Sequence, residues 1–299
     1  MKLQNFLQVL SRRLHSPSPA EENFPRKSGG LGVRFKLLKW IKIILFVYLF
    51  VGVALYFLQD FFLFHPKKLA SNYQFNFDEP YQAFSIIDNE NDTISYVKFL
   101  PLTKEKKGIV IYYHGNMENI NHYINFEKPF TKNGYEVWMQ DYPSFGKSTG
   151  KLSEQKLYNQ ALQIATLAKK ELGNDSLIIY GKSLGTGIAA FVASQMKSKM
   201  LILETPYYSI PALFGNYAFI YPTQILSKYK IPTFSYLQKV SSPIIIFHGT
   251  KDDVIPYSNA VKLKTVLKST DKFITIEDAT HININSTKKY FEEIDSLLK

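Results

Sequence analysis

Cysteine is absent from the 299 residues, so the fold holds no disulfide and no thiolate metal site. Acidic residues are nearly missing from the N-terminal end, where only Glu21 and Glu22 precede Asp60. The net charge of +11 is therefore uneven. Nine lysines and arginines up to Lys42 stand against those two glutamates, which places +7 there and leaves +4 for the rest. A basic balance confined to a tail is no footprint of a nucleic-acid-binding domain, and no nucleic-acid partner is expected. Histidine is scarce, at positions 15, 65, 114, 122, 248 and 281 only. Also missing is a glycine five positions ahead of either Gly-Lys-Ser, where Ser176 and Asp141 stand instead. A phosphate-binding loop needs that glycine, so NTP chemistry through such a loop is excluded.

What is present begins with a long apolar run. From Trp40 to Leu58 the only charge is Lys42, near one end, where its side chain can snorkel. Nineteen helical residues span roughly 28 Å, close to the thickness of a bilayer core. The positive stretch ahead of it is too long for a cleavable signal peptide, and no small-x-small cleavage site follows. The run is read as an uncleaved transmembrane anchor over residues 40–59, after a basic tail over 1–39. Within that tail, residues 1–15 carry one apolar helical face and 16–32 read as a flexible linker. Phe61, Phe62 and Phe64 are expected at the membrane interface. The charge asymmetry puts the N-terminus in the cytoplasm and the large domain in the periplasm, the lumen or outside the cell.

Beyond the anchor, residues 60–299 read as one α/β domain. Two strands, 82–87 and 93–100, suggest an antiparallel start. Strands at 108–113, 135–140, 177–181, 200–204, 243–247 and 272–276 then alternate with helices at 118–132, 153–172, 184–197, 256–268 and 284–298. Such alternation predicts a doubly wound, mostly parallel sheet, with functional groups beyond the carboxyl ends of its strands. The pattern breaks at 206–240. This stretch holds nine tyrosines and phenylalanines with four prolines, and it falls where a lid over the site belongs.

Gly181-Lys182-Ser183-Leu184-Gly185 joins the apolar strand at 177–181 to a helix of small residues. A serine between two glycines on a sharp strand-to-helix turn is a nucleophile elbow. Its glycines leave room for the helix against the strand and tolerate unusual backbone angles. Gly146-Lys147-Ser148-Thr149-Gly150 fits the same pattern but lacks the preceding strand and following helix, and reads as a loop. A serine hydroxyl needs a base and a carboxylate that orients the base. In chain order, Ser183 is followed by Asp252 and Asp253 after one strand, then by His281 after the next. The other histidines lie too early in the chain or in a surface element. The N–H of Leu184, one residue past the serine, is an expected oxyanion donor.

These motifs, with His114-Gly115-Asn116, Asp141-Tyr142, Phe145 to Ser148, Glu204-Thr205-Pro206 and His248 to Pro256, resemble the α/β-hydrolase superfamily from about residue 80 onward. The likeness is strongest to serine hydrolases carrying a single N-terminal transmembrane helix. It implies an α/β-hydrolase sheet with a short aromatic lid. It selects Asp252, four residues after His248, over Asp253, and assigns the second oxyanion N–H to Asn116. Ahead of His281 stands Asp278-Ala279-Thr280, where the family often has glycines. The expected function is a membrane-anchored serine hydrolase that cleaves a carboxylic ester or thioester through Ser183, His281 and Asp252, with no cofactor and no metal. Lipids or acylated proteins near the bilayer are candidate substrates. Amide or peptide hydrolysis on the same triad, or a catalytically silent receptor or scaffold, are the alternatives.

Overall fold

The computed structural model describes residues 29–172 and 177–299. The helical face expected at 1–15 and most of the linker at 16–32 lie outside the described residues. The chain forms two units, Met1–Val51 and Gly52–Lys299. Helix α1, Gly29–Phe57, begins in the first and ends in the second. It starts ahead of the expected Trp40, because the Arg34–Lys39 stretch has good helix formers and no proline. Arg34–Phe57 is long and apolar enough to cross a membrane. The second unit therefore includes the end of α1 and starts eight residues ahead of residue 60.

Helix α2, Gln59–Leu63, follows at once. The domain is built on eight strands: β1 Tyr81–Ile87, β2 Thr93–Phe99, β3 Gly108–Tyr113, β4 Tyr135–Gln140, β5 Leu177–Lys182, β6 Met200–Glu204, β7 Ile244–Gly249 and β8 Lys272–Ile276. Their order in the sheet is β8-β7-β6-β5-β3-β4-β2-β1. β1 pairs antiparallel with β2 and β2 antiparallel with β4, while every other pairing is parallel. This is the doubly wound, mostly parallel sheet with an antiparallel edge that the alternation predicts.

The central strands are buried throughout and mostly apolar, because both faces of the sheet are covered. Side chains alternate faces with period two. Ile109, Ile111, Ile179, Leu203 and Ile246 join one core, and Val110, Tyr112, Ile178, Ile202 and Phe247 the other. Each such side chain contributes about 1.5–3 kcal/mol on burial.

The long helices include α4, Glu154–Leu172, and α5, Leu184–Gln195, preceded by the short α3, Lys128–Thr131. Ser153 caps α4, accepting from the Lys156 N–H at 3.2 Å. The helix expected at 118–132 does not form. Met117–Glu118 instead pairs in parallel with His65–Pro66, a 3₁₀ turn covers Ile120–Tyr123, and α3 is one turn. Local asparagine chemistry explains the interruption. The Asn119 side chain accepts from the Asn121 N–H, and Asn125 takes a left-handed φ of 79°. The insertion between β6 and β7 holds α6 Ile210–Tyr217, α7 Thr223–Leu226 and α8 Thr233–Leu237. The helix expected at 256–268 is α9, Tyr257–Ala260, running into a 3₁₀ stretch over Val261–Val266. The last helix, α10, spans Lys288–Leu298 and starts later than expected because Thr287 caps it.

Ile246 is fully buried at the centre of β7. Ile246→Ala is expected to lower unfolding stability by about 2–5 kcal/mol. Denaturant unfolding followed by circular dichroism checks this.

Candidate active site

The site forms where β5 ends and α5 begins. Ser183 is the N-cap of α5, with φ 51° and ψ −118°. Serine rarely adopts a positive φ, and such a residue costs about 1–3 kcal/mol. The flanking glycines have a different task from the one their chemistry suggests. Neither carries a positive φ; each makes room. A Cβ at Gly181 would come 2.5 Å from the Gly185 carbonyl oxygen, and one at Gly185 would collide with the Tyr113 carbonyl. The angular burden therefore falls on Ser183, whose N–H is fixed by the Glu204 carbonyl at 2.9 Å. Beneath it, Lys182 and Glu204 form a buried ion pair, with Tyr180 bonded to the same carboxylate.

Three side chains from separate loops converge here. The Ser183 Oγ lies 3.0 Å from His281 Nε2. His281 Nδ1 lies 2.9 Å from Asp252 Oδ2 and 3.1 Å from Oδ1. An ionised carboxylate only accepts, so Nδ1 carries the proton and Nε2 faces the serine hydroxyl as acceptor. Asp252 Oδ1 also accepts from the N–H groups of Val254 at 3.0 Å and Ile255 at 2.7 Å. Burial pushes the Asp252 carboxyl up, but the His281 hydrogen bond and charge and the Ile255 N–H outweigh it, and its pKa lies below the ordinary value. Asp253 is exposed and takes no part. Ahead of His281, Asp278 adopts φ 58°, so an aspartate holds the left-handed turn where glycine is often found.

The remaining candidates have structural surroundings. Ser148 is buried, donates to the Asp141 carbonyl at 2.8 Å and accepts from the Ser95 N–H at 2.9 Å. His248 is buried against the Ile255 carbonyl at 2.9 Å, and burial lowers its pKa. His114 is fully buried, with its pKa lowered to about 4 by burial, and stacks on Tyr123. Asp141 is pushed up to about 7, also by burial.

An apolar cavity of about 480 Å³ opens onto Ser183. Leu184 and Asn116 both line it. The Asn116 side chain is turned away, donating to the Leu63 carbonyl at 3.0 Å, while the backbone carbonyl of Asn116 accepts from the His65 N–H at 2.9 Å. The insertion supplies Leu213, Phe214, Tyr217 and Tyr221. No charged side chain lines the cavity among the described residues. Most other aromatics of the insertion pack it down: Tyr208 stacks on Phe234, Tyr229 meets Phe64, and Tyr207 donates to the Leu184 carbonyl at 3.1 Å. Phe64 is thus buried rather than at a membrane interface. Sequence reading missed the opposite wall, made of Leu55, Gln59, Phe62 and Leu63. Nothing local marks these residues, because their hydrophobicity is that of the run they close. No group of His, Asp and Glu able to hold a metal occurs among the described residues.

The sheet order, the elbow and the inserted helices identify the fold, and comparison agrees. The Pyrococcus furiosus esterase Pf2001 superposes with a TM-score of 0.62 at 15% identity, over 79% of this chain and 96% of the esterase. The chain has the α/β-hydrolase fold. Est1E from Butyrivibrio proteoclasticus matches it with a TM-score of 0.57 at 19% identity, over 72% of this chain and 97% of Est1E. The profile of the serine aminopeptidase S33 family matches residues 104–232 of this chain, which end inside the inserted segment. Alpha/beta hydrolase domain-containing protein 17B of Xenopus tropicalis is 26% identical to it over 204 residues, covering 66% of this chain and 68% of that protein.

The Asp252 environment sets a pH dependence. With its folded pKa below the ordinary value of about 3.9, the carboxyl binds its proton more weakly in the fold than in the unfolded chain. Its stabilisation is complete above about pH 4 and is lost as the pH falls through the folded value. Thermal unfolding between pH 3 and 6 is expected to show a steeper acid loss in the native chain than in Asp252→Asn.

Proposed function

We propose that this hydrolase is a membrane-anchored serine esterase or thioesterase acting on apolar acyl groups. The observation that carries the reading is the unbroken line Asp252–His281–Ser183, with contacts of 2.9 and 3.0 Å, at the floor of an uncharged cavity. In this reading His281 takes the Ser183 proton as the hydroxyl oxygen attacks the acyl carbonyl. Asp252 holds the imidazole tautomer and stabilises the imidazolium that forms. The backbone N–H groups of Leu184, in the first turn of α5, and of Asn116 stabilise the oxyanion. His281 then protonates the leaving oxygen or sulfur. Water, deprotonated in turn by His281, releases the acid from the acyl-enzyme and restores the Ser183 hydroxyl.

The cavity favours the ester reading over aminopeptidase chemistry. Binding a substrate's α-ammonium calls for a carboxylate beside the nucleophile, and the cavity offers no charged group. The esterase character of the solved structural neighbours supports the same choice. A silent scaffold would have no need of a serine held at φ 51° within reach of a histidine. The anchor reading rests on the length and apolarity of Arg34–Phe57, where Phe46 and Phe50 are about two-thirds exposed. The excess of positive charge before it supports a cytoplasmic N-terminus with the catalytic domain on the other side.

A fluorophosphonate probe is expected to label the native chain and Ser148→Ala but not Ser183→Ala. Hydrolysis of p-nitrophenyl esters is expected to fall on the order of 10⁴-fold in Asp252→Asn and at least as far in Ser183→Ala. Longer acyl chains are expected to be turned over better than acetate. Absence of labelling in the folded native chain would overturn the reading.

A further inference from the structure

The inserted segment lies beside the end of α1. Gly52 is buried, and a Cβ there would come 3.2 Å from the Tyr221 ring. Gln59, the first residue of α2, ties the insertion to the chain just past the end of α1. Its amide donates to the Leu226 carbonyl at 2.8 Å, and its carbonyl oxygen accepts from the Lys228 N–H at 2.7 Å. Lys228 also pairs with Asp60 at 2.6 Å. Gly52 is five residues before the last residue of α1, so the Tyr221 contact lies about 7–8 Å below the end of the helix. That depth matches the 5–10 Å to which interfacial segments sink into the headgroup–acyl boundary.

The flanking residues suit such a place. Phe219 is 82% exposed and Ile225 78%. Between residues 206 and 240 there is no acidic residue, and of the three lysines Lys228 is paired with Asp60, which leaves Lys230 and Lys239 as a balance suited to anionic headgroups. The cavity is walled by this segment on one side and by Leu55 and Phe62, from the end of α1 and from α2, on the other.

We propose that the tip of the insertion, around Phe219 and Ile225, is itself embedded in the bilayer surface, so that the cavity receives its acyl substrate from the lipid phase rather than from water. This rests on reading α1 as a membrane span, and it extends that reading from a tether to a second, catalytic-domain contact with lipid. The substrate class that follows is an amphiphile whose acyl chain already resides in the membrane.

The absence of native cysteine makes the test direct, since any introduced cysteine is unique. Full-length Phe219→Cys, Ile225→Cys, Lys197→Cys and Phe46→Cys, each labelled with an environment-sensitive fluorophore, are reconstituted in phosphatidylcholine–phosphatidylglycerol vesicles containing spin-labelled quencher lipid. Labels at 219 and 225 are expected to be blue-shifted and quenched by shallow spin labels. The label at exposed Lys197, at the opposite end of the sheet, is expected to remain unquenched. Labels at 219 and 225 that behave like the one at 197, while the label at 46 is quenched, would overturn the proposal and leave the anchor standing. An unquenched label at 46 would overturn both. In the second arm, Phe219→Asp with Ile225→Asp, which withdraws two apolar side chains from the bilayer surface, is expected to slow hydrolysis of a long-chain ester held in vesicles by about tenfold or more, and to leave p-nitrophenyl acetate hydrolysis unchanged. Equal loss on both substrates would count against lipid-phase entry.

Discussion

The close approach of α5 to the ends of β5 and β3 is the constraint on which the site depends. Backbone meets backbone there, and only hydrogen atoms at 181 and 185 allow it. The turn must close within three residues, so Ser183 is driven to φ 51°. The cost of that conformation is offset by the buried strands on either side and by the hydrogen bond from the Ser183 N–H to Glu204. The result is a hydroxyl raised above the sheet with its position fixed before any substrate arrives, which is what electrostatic preorganisation requires.

Electrostatics at the site is arranged by exclusion as much as by contact. His114 and His248 are buried with lowered pKa values, so neither adds a positive charge. The Asp252 carboxylate is left to His281 and two backbone N–H groups. The Lys182–Glu204 pair beneath the elbow is internally balanced. The cavity above has no charged lining, and Ser183 is the polar group in it that meets His281. An acyl carbonyl is aligned there by the few polar groups present, while the walls accept hydrocarbon without preference for direction.

The proposed membrane contact gives a physical role to two features that are otherwise unrelated. The insertion is aromatic and free of acid, and the compact domain includes the end of an apolar helix. Joined through Gln59 and Tyr221, they make one wall and one rim of the same cavity. A water-soluble truncation at residue 60 would remove Leu55 and Gln59 from that wall, so the domain with its cavity complete begins inside α1.

Much of this was legible from local patterns. Five buried runs and their alternation with helices announce the sheet, because strands covered on both faces leave largely apolar stretches. The glycine–serine–glycine turn stands out because its steric requirement is satisfied within five residues. The order of serine, acid and histidine along the chain is likewise a local reading. The helices at 118–132 and 256–268 were misread because side-chain hydrogen bonds and 3₁₀ geometry there compete with the helical pattern. What only the tertiary structure decided is non-local: that Ser148 is a buried strut, and that Leu55 and Gln59 close a cavity over a serine more than 120 residues away. Periodicity and spacing record what each segment buries. They do not record which distant segment it is buried against, since that choice is made by packing between elements once the chain has folded.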